Sequence, residues 1–250
     1  MVYEALATSR TPAMIVYVLD VSASMTRPLG GKRRIDVVTD ALRAALQRMV
    51  FLSTKGTRVA PRYRIAMYAY SDHVYDLLDG VKTVDQVVRL GVPQLTMLAG
   101  TDTARAFEHV ERLLRRELSA ERYEPAPLVC HMTDGDYTGD DPAPIARRIM
   151  EMRSGDGNVL IENIFISDRI LPDQIPNPKQ WSGIQRATPL IGEYADKLRA
   201  MSSPLPESYR TVLLESGYQL TPGAVMMLPG MSAELVEMGF VMSTSTPVTR

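Results

Sequence analysis

Tyr17-Val18-Leu19-Asp20-Val21-Ser22-Ala23-Ser24-Met25 ends an apolar run that begins at Met14. Such a run, unbroken by polar residues, reads as a strand covered on both faces. Asp20, Ser22 and Ser24 then occupy alternate positions, which an extended backbone would turn to one face. Where the chain leaves the strand, the three side chains can converge on a point. Carboxylate and hydroxyl oxygens are the ligands that a hard cation such as Mg²⁺ takes.

Two later stretches complete a pattern with this one. Gly100-Thr101-Asp102-Thr103 precedes a helical stripe, and Leu128-Val129-Cys130-His131-Met132 runs into Thr133-Asp134-Gly135. Asp-x-Ser-x-Ser after a first strand, a threonine in a later loop and an aspartate after a further strand resemble the von Willebrand factor A domain with its metal-ion-dependent adhesion site. The first piece is common by chance, but all three in order are specific. The resemblance implies one divalent cation, Mg²⁺ or else Mn²⁺ or Ca²⁺. Ser22, Ser24 and Thr101 would offer it hydroxyls, and Asp20 and Asp134 would act directly or through water. It further implies a non-enzymatic module of the stand-alone bacterial, intracellular kind, which recognises an Asp or Glu of a partner protein through the ion. An ATPase, kinase or phosphatase is the partner class implied.

The 250 residues, 45% of them hydrophobic, are enough for one large domain over 1–250. Lys and Arg number 28 against 29 Asp and Glu. That balance gives no general attraction for nucleic acid or a membrane surface, so neither is an expected partner. Cys130 is the only cysteine and sits within an apolar run, as a small buried hydrophobe would. No intramolecular disulfide can form, residues 1–12 lack the build of a signal peptide, and no apolar run is long enough for a membrane span. The expected location is the cytoplasm.

Gly30-Gly31-Lys32 falls in a basic loop, but Arg33 follows the lysine where a phosphate loop needs Ser or Thr. From Ile35 the residues Val38, Leu42, Ala45, Leu46 and Met49 recur at helical spacing, predicting an amphipathic helix of about four to five turns. Arg64 to Tyr70 reads as a strand, His73 to Leu78 as a short antiparallel partner, and Val84 to Leu90 as a short helix. Asp102 or Thr103 caps the next helix, with Phe107, Val110, Leu114 and Leu118 on its buried stripe. His73 and His109 read as surface or edge residues, and His131 as a satisfied interior one.

Asp136, Asp140 and Asp141 crowd the loop after Asp134. They either hold a second cation or cap and solvate a helix start, for which Asp141-Pro142 has the right chemistry. Val159 to Ile166 and Ala224 to Leu228 read as strands, and Ile191 to Met201, Glu207 to Glu215 and Ser232 to Phe240 as helices. Residues 168–190, with Pro172, Pro176, Pro178 and Pro189, resemble an inserted loop. Its Trp181 either anchors a partner or pins the loop to the body. The Ser- and Thr-rich tail, 243–250, reads as flexible.

Strand and helix alternate, which predicts an open, mostly parallel, doubly wound α/β sheet of Rossmann-like form, with one short antiparallel edge strand and helices on both faces. Ligands in such folds gather at the carboxyl ends of the strands. Closing the stretch of about 80 residues from Asp20 to Thr101 costs roughly 4 kcal/mol. A single divalent ion is a poor organiser against that, so the sheet must prearrange the site and metal loss should leave the fold in place. The competing function is a Mg²⁺-dependent phosphoester hydrolase or phosphotransferase with Asp20 as nucleophile. Aspartate-based phosphatases carry a second Asp two residues on, where this chain has Ser22.

Overall fold

Alternation along the first strand divides the interior into two layers. In the computed structural model, which describes residues 3–118, 124–135 and 137–248, β1 (Ala13–Asp20) sends Ile15, Tyr17 and Leu19 to one layer and Met14, Val16 and Val18 to the other. The first layer is covered by α1 (Arg34–Ser53), α2 (Val84–Leu90), α6 (Glu207–Glu215) and α7 (Ala233–Ser243). The second is covered by α3 (Thr103–Glu117), α4 (Ala143–Glu151) and α5 (Glu193–Ala200). Every residue of β1 is buried, as the uninterrupted apolar run requires.

Among the described residues the sheet has seven strands. β2 (Tyr63–Tyr70) and β5 (Leu128–Thr133) flank β1, both parallel to it. Beyond β5 lie β6 (Leu160–Phe165) and β7 (Met227–Pro229), also parallel. On the other side β3 (Val74–Asp76) and β4 (Lys82–Thr83) both run antiparallel to β2, where the sequence predicts one short strand of that sense. The order is therefore β7-β6-β5-β1-β2-β3. Chain order moves outward in opposite directions from β1, which makes the carboxyl ends of β1 and β5 a topological switch point.

Several local expectations change. The last strand pairs at Met227–Pro229, later than Ala224 to Leu228, because Ala224 and Val225 are engaged instead by Leu205 and Ile184. The tail is not loose over the part described: Ser243, Thr244, Ser245 and Thr246 are all buried. Ser243, Thr244 and Ser245 turn their hydroxyls onto carbonyls of the last turn of α7, and Ala7 N–H donates to Pro247 O at 2.8 Å. Side chains that satisfy helix-end carbonyls can be buried despite their polarity. Arg250 and its neighbour lie outside the described residues. Trp181 packs against both layers, and the loop around it is tied down by Thr221 N–H to Ser182 O and Val225 N–H to Ile184 O. The structure thus gives Trp181 a pinning role. Among the described residues no helix is long and apolar enough to cross a membrane.

His131 and Glu162 are buried polar side chains on adjacent strands of the sheet. His131 on β5 is held between the Tyr70 hydroxyl (2.8 Å) and Asn163 Oδ1 (2.7 Å), and burial pushes its imidazole down to about 4. Glu162 on β6, paired in register with Cys130, is fully buried, and burial holds that carboxyl well above the ordinary carboxylate range. The two act oppositely on stability. The unfolded chain takes up a proton at His131 from pH 6.5 downward, while the folded one does so only near 4. The stability contribution of neutral His131 is therefore complete above 6.5 and is lost as pH falls through that window. The stability difference between the native chain and His131→Gln, whose amide can meet the same two partners, should shrink by up to about 3 kcal/mol between pH 6.5 and 4. Urea denaturation at stepped pH measures it, and a difference independent of pH would refute the assignment.

Candidate metal centre

Asp20 is the last residue of β1, fully buried and paired in register with Tyr70. The regular strand ends there: Ser22 is still extended and bridges Leu98, and the chain then turns. Ala23–Thr26 form a 3₁₀ turn, and Ser22 N–H folds back to donate to Asp20 Oδ1 at 2.8 Å. That turn, in place of strand alternation, brings the serines round: Ser22 Oγ stands 2.9 Å from Ser24 Oγ, and Ser24 Oγ donates to Asp134 Oδ1 at 2.5 Å. Asp134 follows β5 directly, and Thr133, the last residue of that strand, donates from Oγ1 to Asp20 Oδ2 at 2.7 Å. Four of the five residues singled out in the sequence thus form one hydrogen-bonded chain across the switch point, its Asp20–Ser22 link made by the Ser22 amide.

Thr101 reaches the same rim through its backbone. Leu98 N–H donates to Val21 O, Asp72 N–H to Ala99 O and Asp102 N–H to Ser71 O, which ties its loop to the ends of β1 and β2. Thr101 N–H is received by Thr138 Oγ1, and its carbonyl accepts from Thr138 N–H. Gly100 before it has φ +85° and lies so close to Asp72 that a Cβ would stand 3.0 Å from the Asp72 Cβ; a side chain there would be both strained and crowded. Among the described residues no hydrogen bond joins the Thr101 hydroxyl to the other four site residues. Asp102 caps α3 by accepting from Arg105 N–H.

The donor set fits a hard divalent cation. In an octahedral shell with metal–oxygen distances of about 2.0–2.1 Å, neighbouring ligands stand about 2.9 Å apart, and the two serine oxygens already have that separation. Burial lifts the Asp20 carboxyl to about 6 against the hydrogen bonds from Thr133 and Ser22 that lower it. A carboxylate so disfavoured gains from a nearby cation. Among the described residues there is no group of three or more His, Cys, Asp or Glu able to hold a metal. With only two carboxylates, Asp20 and Asp134, an ion here would complete its shell with hydroxyl oxygens and water, so its hold would be weak. Asp141 accepts from Ala143 N–H at the start of α4 and serves as a cap, although the helix begins one residue after Pro142. Asp136 lies outside the described residues.

Sequence reading missed two contributors and the recess beside them. Thr133 orients Asp20. Arg34, the first residue of α1 and buried, donates from Nη1 to Asp134 Oδ2 at 2.9 Å and from Nη2 to Asp168 Oδ2 at 3.3 Å. The signal for Arg34 was present: a cation in the first turn of a helix opposes the helix dipole, and such a placement calls for a compensating anion. Next to the rim, Gly135, Ser167, Phe165, Tyr194, Tyr137 and Lys197 line a recess of about 520 Å³. Lys197 Nζ meets the Tyr137 hydroxyl at 2.7 Å there.

The von Willebrand factor type A domain model matches residues 15–136, a span that holds all five oxygen-bearing residues. No curated protein matches the chain. Among solved structures, the pilus adhesin SpaC from Lactobacillus rhamnosus GG is similar over 92% of this chain and 30% of its own, at 12% identity and a TM-score of 0.55. That likeness shows a shared fold. BatB from Bacteroides thetaiotaomicron is similar over 74% of this chain and 83% of its own, with 12% identity and a TM-score of 0.47. The vWF domain of the type V pili tip protein Mfa5 from Porphyromonas gingivalis has 22% identity over 51% of this chain and 39% of its own, with a TM-score of 0.36. The chain spans about two-fifths of the length of that Mfa5 domain and less of SpaC.

Proposed function

We propose that this chain, matched over residues 15–136 by the von Willebrand factor type A domain, is a non-enzymatic, divalent-cation-dependent protein-binding module. It would recognise an Asp or Glu of a partner at the rim where β1 and β5 end. The observation that carries this reading is the run of oxygens from Asp20 through Ser22 and Ser24 to Asp134, with the serines at the spacing of neighbouring ligands. Asp20, Ser22, Ser24, Thr101 and Asp134 would hold Mg²⁺, or Mn²⁺ or Ca²⁺ in its place. When bound, the ion supplies a Lewis-acidic position that a carboxylate oxygen can fill in place of water.

The chain's own residues do the rest. Thr133 and the Ser22 amide fix Asp20 from two sides, the 3₁₀ turn presents both serine hydroxyls, and the recess beside Gly135 leaves room for side chains flanking the partner's acidic residue. Asp20 is poorly suited to nucleophilic attack, being fully buried with both oxygens engaged, which argues against the phosphoester hydrolase or phosphotransferase reading. The even charge balance and the lone buried Cys130 support a reducing compartment and a protein partner. An ATPase, kinase or phosphatase as that partner rests on the family resemblance alone.

The test is capture of partners from cell extract on the immobilised chain, with Mg²⁺ or with EDTA, read by mass spectrometry. The expected result is a protein retained in Mg²⁺, released by EDTA, and not retained by an Asp20→Asn chain. Retention that ignores both changes would overturn the proposal.

A further inference from the structure

An arginine at the first position of α1 faces the positive end of its own helix dipole, an unfavourable place for a cation. Arg34 is nonetheless buried there, its side chain 5% exposed, and it meets an Asp134 side chain that is wholly buried. Its second nitrogen reaches Asp168, which is 73% exposed and only weakly holding at 3.3 Å. Its Nε has no hydrogen-bond partner among the described residues. The contact with Asp134 is thus the strong one, buried on both sides. A buried charge is kept where its partner is charged and close.

Both oxygens of Asp134 are occupied as a result: Oδ1 by the Ser24 hydroxyl, Oδ2 by the Arg34 guanidinium. The two partners differ in how easily they yield. A hydroxyl can rotate its proton away and turn its lone pairs to a cation, whereas a guanidinium has no lone pair to offer and keeps its charge.

Resting on the metal-centre reading above, we propose that Arg34 is a built-in counter-cation that sets how strongly the site binds a divalent ion. By holding Asp134 Oδ2 it neutralises one of the two carboxylates and adds a fixed positive charge beside the ion. It lowers metal affinity in this way. It also leaves the bound ion with more of its charge uncompensated, the condition under which a partner's carboxylate is drawn to it. Arg34 is a positioning residue here, buried away from any partner.

The experiment is titration of the full chain with Mn²⁺ alone, by calorimetry, beside a denaturation curve. Arg34→Met removes the charge and keeps most of the stem; Arg34→Gln removes the charge and keeps a donor for Asp134 should the Met variant fail to fold. Both are expected to bind Mn²⁺ about tenfold or more tightly than the native chain, although both are less stable in the absence of metal. Arg34→Lys, which keeps the charge, is expected to stay within a few-fold of native. A merely structural role would lower stability and leave affinity unchanged or weaker, and that result overturns the inference while leaving the metal centre standing. If neither the native chain nor the charge-removing variants bind Mn²⁺, the metal-centre reading fails and the inference with it.

Discussion

Asp20→Asn is expected to lose more than about 100-fold in affinity for Mg²⁺ or Mn²⁺, beyond the loss typical of removing an outer-shell partner, and to remain folded. The amide keeps an oxygen for Ser22 N–H, and the Thr133 hydroxyl can turn to suit the group it faces. What disappears is the charge. Because burial lifts the Asp20 carboxyl to about 6, removing it should leave the metal-free chain as stable at neutral pH as the native one, or more so. The same shift gives the native chain a pH dependence. Below about 6 the carboxyl is protonated and the proton must leave before the ion can bind, so affinity falls by up to about tenfold per pH unit. Calorimetric titrations near pH 7.5 and pH 5 read both effects. Normal titration by the Asn variant would remove Asp20 from the site.

Glu162→Met is expected to stabilise the chain by about 1–3 kcal/mol near neutral pH, the usual consequence of relieving a buried group without a partner. Glu162 lies in the middle of β6, between β5 and β7, with no exposure. Among the described residues neither carboxyl oxygen has a nitrogen or oxygen partner, and only the Cys130 thiol, a weak donor, stands beside it. Gly239 of α7 passes close by, where a Cβ would be 3.5 Å from Glu162 Oε1. The folded chain holds the proton that the unfolded chain releases above about 4.5. Native stability is thus eroded as pH rises from that value through the raised folded one. The advantage of the Met variant should widen by up to about 1.4 kcal/mol per pH unit over that window. Urea curves at pH 5 and pH 8 provide the comparison. Equal stabilities at pH 8 would mean that the carboxyl has found a partner and the account is wrong.

The strands β1, β2, β5 and β6 are legible as apolar runs because each is buried on both faces. The helices Val84–Leu90 and Glu207–Glu215 fall where helical spacing puts them. β4 escapes such reading, since two residues carry no period. The buried tail escapes it for another reason: Ser243, Thr244 and Ser245 look solvated until the carbonyls of α7 are there to receive them. Tyr17 and Tyr209 add hydroxyl contacts to Ser243 and Thr246 from far away in the chain.

For the candidate site the division is similar. The types of donor, their order and their positions at strand ends are local properties, readable because a strand's exit and the oxygens that follow it share one short stretch of chain. The 3₁₀ turn that sets Ser22 beside Ser24, and the reach of Arg34 to an aspartate 100 residues away, are not. Those depend on which strand ends adjoin and which helix start faces them. Spacing and propensity describe neighbours along the chain, whereas an ion pair across a sheet edge exists only once the packed layers have chosen who stands opposite whom.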